Sequence, residues 1–261
     1  MKRPCVAPRV ALRPLVSLFI IFFGLSLVTS HAQTAHSVNG GSLSPLEGEV
    51  FQELNLARTR PQEYAAYLEQ LRPYFKGKTY QAAGKPALVT EEGLPALEEA
   101  IRYLRAAKPL APFTISKGMC MGAFEHVRDQ GPRGQTGHKG TDGSFCEQRV
   151  ARFGTWEQDI GEDISYGEDT PCERVITLLI DDGVANRGHR ARIFNSTYKV
   201  AGVSCGGHTQ LGSMCVITFA GGFLEKSADS AKAGAAPKAG ATKQAGAGAL
   251  KSLPDAKPTR F

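Results

Sequence analysis

The sequence predicts an α+β domain in which helices pack on an antiparallel sheet. Several stretches with apolar residues at helical spacing come first, between residues 45 and 182. Two β-branched runs then flank a glycine-rich turn in the last folded part. Apolar residues that recur every three to four positions indicate the buried face of a helix, whereas β-branched runs favour strands. A series of helices followed by strands is typical of helices covering one sheet.

The two ends of the chain differ in composition from the middle. Residues 1–32 combine four basic side chains, an apolar run from Leu15 to Val28 and the small-x-small sequence Ser30-His31-Ala32, which predicts a secretory signal peptide cut after Ala32. This apolar run is shorter than the stretch of about 20 apolar residues that a spanning helix needs, so a cleaved signal peptide is favoured over the alternative of an uncleaved N-terminal anchor. No transmembrane span is expected after cleavage. Residues 226–261 are rich in Ala, Gly, Lys and Pro, which predicts a disordered basic tail.

The net charge of +6 comes from these ends. Residues 1–32 contribute +4 and residues 226–261 contribute +5, so the predicted domain over residues 33–225 carries −3. We therefore expect no nucleic-acid partner, and the length of the domain suits one hydrophobic core. The tail is interpreted as a solvated spacer, with contact to an anionic membrane or cell wall as the alternative.

Helical periodicity indicates the following elements in chain order. Pro61 interrupts the first pattern and is expected to begin a new helical turn. Ser116 is the predicted N-cap of the third helix and Gly131 its stop, while Gly183 ends the fourth. The helical stretches are residues 45–75, Leu94–Ala107, 116–131 and Cys172–Asp182.

Two further segments complete the predicted domain. Residues 132–171 are rich in Gly, Asp and Thr and are predicted to be irregular, and long irregular segments are usually functional. The runs YKVAGVSC and MCVITFA around GGHTQLGS predict an antiparallel hairpin. Cys205 and Cys215 lie on its two strands, so we expect a disulfide between them after export. We expect His208, in the turn, to be solvated.

Histidine and acidic side chains in the irregular stretches are candidates for a polar cleft. Imidazole with carboxylate suits zinc or another divalent cation, and it also suits acid–base chemistry. Ordinary loop hydrogen bonds remain the alternative for each residue. The sequence contains no H-E-x-x-H or P-loop motif, and its G-x-S-x-G match, residues 202–206, falls in the predicted hairpin and not at the strand-to-helix turn of a nucleophile elbow. The candidates are His138, Asp142, Glu147, Glu162, Asp181, Asp182 and His189.

Several segments in a fixed order carry a family resemblance. They are NLARTRP, GHKGTDGS, GEDISYG and LIDDGVANRGHR, followed by VITFAGGF. Over residues 46–223 the chain resembles the CAP superfamily of cysteine-rich secretory, antigen 5 and pathogenesis-related 1 proteins, also called SCP domains. The resemblance implies a three-layer α-β-α sandwich and a cleft with two histidines and two acidic residues.

Matching of the motifs assigns the cleft to particular residues. The first histidine and first acid fall on His138 and Glu162, and the second histidine falls on His189. Asp182 stands at the position of the second acid, where the family has glutamate. Two departures accompany it, because Leu179 replaces the family's tryptophan and Arg190 replaces its aromatic residue after Gly-His.

The resemblance implies a secreted binding module, at the cell surface, in the periplasm or outside the cell. Its expected partner is a lipid or a protein on a surface, and its cleft is a candidate site for a divalent cation held by His138 and His189. The alternative is a metal-dependent hydrolase that uses the same histidines as ligands and Glu162 as general base. A third hypothesis is a structural envelope protein whose basic tail carries the function.

Overall fold

The computed structural model describes residues 43–82, 84–168 and 170–226. The predicted signal peptide and all but the first residue of the predicted tail lie outside these ranges. Among the described residues, no helix is long and apolar enough to cross a membrane. The elements in chain order are α1 (Pro45–Thr59), α2 (Pro61–Glu69), β1 (Phe75–Lys76), β2 (Thr79–Tyr80), β3 (Leu88–Val89), α3 (Leu94–Ala106), β4 (Thr114–Ile115), α4 (Lys117–Gln130), α5 (Cys146–Ala151), β5 (Gly154–Tyr166), α6 (Pro171–Ile180), α7 (Gly188–Ile193), β6 (Val200–His208) and β7 (Gly212–Glu225).

The helix boundaries follow capping chemistry. Pro61 is the first residue of α2, as predicted, because a proline at this position lacks only an N–H that has no helical partner. The Ser116 hydroxyl accepts a hydrogen bond from the backbone N–H of Met119, and α4 ends at Gly131, so both predicted boundaries of this helix are confirmed. The predicted end of α6 was two residues too late, because Asp181 already adopts a left-handed conformation with φ of 56°.

The main sheet has the strand order β4-β6-β7-β5. β7 pairs with β6 and β5 in antiparallel register, which confirms the α+β class, while the two-residue edge strand β4 is parallel to β6. β5 was not predicted, since its sequence lies in the segment expected to be irregular. A register shift between Glu157 and Ile160, with Gln158 at φ of 67°, interrupts the alternation that would have indicated a strand.

Helices cover both faces of this sheet. Side chains on β7 alternate between the two faces, so Cys215, Ile217 and Phe219 face one core and Met214 and Val216 face another. The first core is built with α1, α2, α3 and α6, and the second with α4. α5 packs beside α4 on the second face, which gives the three-layer arrangement that the family resemblance implies.

The hairpin of β6 and β7 is closed by the predicted disulfide. Cys205 and Cys215 are direct cross-strand partners with Cα atoms 4.1 Å apart, and they form a disulfide. The buried carboxylate of Glu47 in α1 accepts the backbone N–H of Cys205 at 3.0 Å and thereby attaches the hairpin to the helical layer. Cys120 and Cys146 are free and buried.

Arg58 fastens the chain that follows α7 to helix α1. Its guanidinium is buried and donates to the carbonyls of Ala111, Ile193, Asn195 and Tyr198 at 2.6–2.9 Å. These carbonyls have no partner within a helix or the sheet. The arginine therefore satisfies groups that would otherwise be buried without partners. Arg58 therefore sets the position of the C-terminal end of α7.

We predict that Arg58→Met lowers the free energy of unfolding by about 3 kcal/mol or more, because buried carbonyls lose charged donors. Urea denaturation measures this loss. The matched control is Arg60→Met, which removes an exposed ion pair with Glu63 and is expected to cost less than about 1 kcal/mol. Equal losses in both variants would contradict the role assigned to Arg58.

Candidate functional site

The first half of the candidate site is a buried triad of His138, Glu162 and Arg149. His138 Nδ1 lies 3.0 Å from Glu162 Oε1, and Arg149 Nη2 donates to Glu162 Oε2 at 2.6 Å. The side chains of Glu162 and Arg149 are only 2% and 3% exposed, whereas that of His138 is 29% exposed. The carboxylate therefore lies beneath the imidazole and orients it from the protein side.

The charge state of Glu162 follows from its surroundings. Burial raises the pKa of this carboxyl, but the charge of Arg149 and the hydrogen bond with His138 outweigh it and bring the pKa to about 2. Both of its oxygens are engaged. A general base needs an oxygen that faces a reacting water, so these contacts disfavour the role that the hydrolase alternative gives Glu162.

The second half of the site joins His189 to Asp181. Asp181 Oδ1 lies 2.6 Å from His189 Nδ1, and Oδ2 accepts the backbone N–H groups of His189 and Arg190 at 2.9 and 3.4 Å. One carboxylate thus satisfies free N–H groups at the start of α7 and orients the imidazole. Burial lowers the pKa of His189, but the hydrogen bond to Asp181 and the charges of Asp163 and Asp181 outweigh it, so the pKa is raised above its ordinary value.

Consecutive residues of β5 connect the two halves. Glu162 faces α5, whereas Asp163 faces α7 and accepts a hydrogen bond from Arg192 Nε at 2.5 Å. Gly161 permits this approach, because a Cβ there would lie 2.7 Å from the Tyr198 hydroxyl and 2.9 Å from Arg192 Cδ. The His138 pair and the His189 pair therefore lie on opposite faces of the same edge strand.

The structure corrects the predicted position of Asp182. Its carboxylate accepts the backbone N–H groups of Glu91, Glu92 and Gly93 at 2.6–3.0 Å, where the chain enters α3. The carboxylate that binds His189 is Asp181. Asp181 ends α6 in a left-handed conformation, and this turn sends the two neighbouring side chains to different partners.

The two departures from the family motif lie inside the protein. Leu179 is fully buried in the first core. Arg190 is also buried, donates to the carbonyl of Leu179 at 3.0 Å, pairs with Glu99 and lies 4.9 Å from the centre of the Tyr103 ring. The guanidinium thus packs face-on against an aromatic ring where the family has an aromatic side chain.

The remaining candidates serve local structure. Arg187 donates to the carbonyl of Asp181 at 2.7 Å and pairs with Glu92 and Glu99, so it holds the loop between α6 and α7. Asp142 accepts hydrogen bonds from Ser144 and pairs with Arg152. Glu147 accepts from the Cys146 thiol at 3.7 Å.

Metal-ligating side chains are sparse in this arrangement. Within the part of the chain that the structure describes, no group of three or more His, Cys, Asp and Glu side chains is placed to hold a metal ion. The predicted pair of His138 and His189 contributes two imidazoles, and their carboxylate partners are bonded to Nδ1 atoms or arginines. Zinc in proteins takes three or four protein ligands, so these residues do not form a complete zinc site.

The comparison with protein families relates part of this sequence to a known domain. The family model described as the cysteine-rich secretory protein family, CAP, matches residues 98–219. We therefore assign this stretch of the chain to a CAP domain. The match begins in α3, ends in β7, and includes His138, Glu162, Asp181 and His189.

Two solved structures are similar to this chain. An outer surface protein from Borrelia burgdorferi is 17% identical over 45% of this chain and 80% of its own, with a TM-score of 0.37. An extracellular protein containing an SCP domain from Bacillus anthracis is also 17% identical, over 59% of this chain and 48% of its own, with a TM-score of 0.36. No curated protein matches the chain.

Sequence reasoning missed several residues of the CAP domain that shape the site. Arg149 and Arg192 neutralise Glu162 and Asp163, but no pattern in the sequence pairs residues from separate elements. His208 was expected in solvent and this expectation was wrong, because it is 3% exposed and hydrogen-bonded through both ring nitrogens. If β5 had been predicted, the alternation of side chains along a strand would have shown that Glu162 and Asp163 face opposite sides of the sheet.

The depressed pKa of Glu162 predicts an acid-dependent stability. Its folded value of about 2 lies below the unfolded value of 4.5, so its contribution is complete above pH 4.5 and is lost as the pH falls towards 2. We expect the stability difference between the wild type and Glu162→Gln to shrink by about 3 kcal/mol across this window, measured by urea denaturation.

The control for this measurement is Glu125→Gln, which removes an exposed ion pair with Arg152. Its difference from the wild type should change little with pH, because exposed pairs contribute about 0–1 kcal/mol. A Glu162→Gln difference that stays constant from pH 6 to pH 2 would refute the buried, ionised state of Glu162.

Proposed function

We propose that the protein is an exported binding module whose ligand lies against the outer edge of β5, between His138 and His189. The observation that carries this proposal is the shared orientation of the two imidazoles. Each directs Nδ1 towards a buried carboxylate, so Nε2, on the other side of the ring, is the nitrogen proposed to contact the ligand. A carboxylate bonded to Nδ1 fixes the orientation of the ring and therefore the direction in which Nε2 points.

The position of β5 supports a site at its edge. β5 is the last strand in the sheet order, so its outer side has no strand partner among the described residues. The His138 loop approaches it from the α5 layer and α7 approaches it from the other. In the proposed site a ligand lies across this edge and contacts both rings, whose carboxylate partners lie on opposite faces.

The charges at the edge favour a polar or anionic headgroup as the ligand. Asp181 and Asp163 stabilise the protonated form of His189, whose Nε2–H is then a charged donor. The nearby carboxylates are each matched by a cation, Glu162 by Arg149, Asp163 by Arg192 and Asp181 by the protonated His189, so they do not repel an anion strongly. We therefore propose the phosphate headgroup of a lipid as the ligand class.

Export is supported by three separate features. The sequence begins with a predicted signal peptide, the hairpin contains a disulfide, and the matching family is described as secretory. A divalent cation is not part of the proposal, because the two imidazoles do not complete a site. The hydrolase alternative has less support, since both oxygens of Glu162, its general base, are already bonded.

Vesicle sedimentation tests this proposal. The mature protein and a chain lacking residues 227–261 are mixed with phosphatidylglycerol vesicles in the presence of a chelator, beside the double variant His138→Leu, His189→Leu. We expect the shortened wild-type chain to sediment with the vesicles and the shortened double variant to remain in solution, because the site has lost both Nε2 atoms.

The tail deletion separates the cleft from the basic tail. Binding that disappears with residues 227–261 and is unaffected by the two histidine substitutions would refute the proposal and favour the tail as the surface-binding element. Binding that requires added zinc would instead assign a cation to the two histidines.

A further inference from the structure

The loop that presents His138 is held by side chains from four different elements. Residues 135–139 form neither helix nor strand, and Gly137 has φ of 97°, a conformation that other residues rarely adopt. Their peptide groups are bonded by buried or part-buried side chains instead. The contacts are His208 Nε2 to Gln135 O at 2.8 Å, Tyr166 Oη to Gly137 N at 3.0 Å, His126 Nε2 to Gly137 O at 2.9 Å, Arg149 Nη1 to His138 O at 3.1 Å and Gln130 Nε2 to Lys139 O at 3.2 Å.

His208 has a defined hydrogen-bonding state. Its Nδ1 accepts the backbone N–H of Leu211 at 3.1 Å, so in the neutral ring the proton is on Nε2 and is donated to the Gln135 carbonyl. The ring is 3% exposed, so neither bond is readily replaced by water. Loss of the imidazole would leave the Gln135 carbonyl and the Leu211 N–H without this partner.

His208 also supports a second contact of the loop. The ring of Tyr166 lies edge-on to that of His208 with centroids 5.4 Å apart. The Tyr166 hydroxyl accepts the N–H of Gly137 and donates to Gln130 Oε1 at 3.5 Å. One imidazole therefore holds the loop directly at Gln135 and, by packing, supports the group that holds it at Gly137, next to His138.

We infer that His208 is a positioning residue for the ligand site, which acts through the backbone of residues 135–137 and directs His138 towards the edge of β5. The inference rests on the proposed function. It links the site to the disulfide-closed hairpin, since His208 is the last residue of β6 and Cys205 lies three positions before it.

The test compares His208→Leu with His208→Gln in the full-length mature protein. Leucine removes both hydrogen bonds, whereas glutamine keeps a side-chain N–H that can reach the Gln135 carbonyl. In His208→Leu we expect altered NMR signals of the His138 ring, unaltered signals of the His189 ring, and about tenfold weaker binding to phosphatidylglycerol vesicles. In His208→Gln we expect the His138 signals and the vesicle affinity to return towards wild type.

A second variant guards against a folding defect. Tyr166→Phe removes only the hydroxyl that accepts from Gly137, and it should shift the His138 ring signals in the same direction with the fold intact. Unchanged His138 signals in both His208→Leu and Tyr166→Phe would overturn the inference, and so would equal changes at His138 and His189. If the wild type binds no vesicles, the proposed function fails, but the ring signals still decide the positioning role.

Discussion

The buried ion pair of Arg149 and Glu162 is the interaction on which the candidate site depends. Arg149 donates to Glu162, to the carbonyl of His138 and to the carbonyl of Ser144, so one guanidinium joins β5, the His138 loop and the approach to α5. Removal of one partner would leave the other charge buried, and such losses cost about 3–5 kcal/mol. The pair therefore holds the loop in place and keeps Glu162 ionised beneath His138.

The alternation of side chains on an edge strand explains why the site has two similar halves. Glu162 and Asp163 are neighbours in the sequence, but they point to opposite helical layers. Each layer supplies one arginine against its carboxylate and one histidine near it, so neither face holds an unbalanced negative charge. This balance is required, because an isolated buried carboxylate would take up a proton instead of staying charged.

The parts of the fold that repeat a regular spacing could be predicted from the sequence. Apolar periodicity and caps such as Ser116 and Pro61 located the helices, and β-branched runs located the hairpin and its disulfide. β5 was missed because a bulge at Gln158 and several Gly and Asp residues conceal its alternation. Which of Asp181 and Asp182 binds His189 could not be predicted, because it depends on the left-handed conformation of a single residue. The burial of His208 could not be predicted either, because the loop that contacts it comes from a distant part of the chain.

The proposed ligand site and the proposed role of His208 share one physical basis. In each histidine, a hydrogen bond to the ring nitrogen that faces the protein interior sets the orientation of the imidazole. In His138 and His189 that nitrogen is Nδ1 and its partner is a carboxylate. In His126 and His208 the nitrogen that binds the His138 loop is Nε2 and its partner is a carbonyl, which can only accept. In the proposed site the first two rings direct Nε2 to the ligand, and the other two hold the loop.

The tautomers of these four histidines, read from long-range ¹H–¹⁵N NMR correlations of the neutral rings, test this arrangement most directly. We predict the proton on Nδ1 in His138 and His189, because each donates to a carboxylate, and on Nε2 in His126 and His208. In the neutral ring of either His138 or His189, a proton on Nε2 in place of Nδ1 would contradict these assignments, since Nδ1 would then have no hydrogen to donate to Glu162 or Asp181.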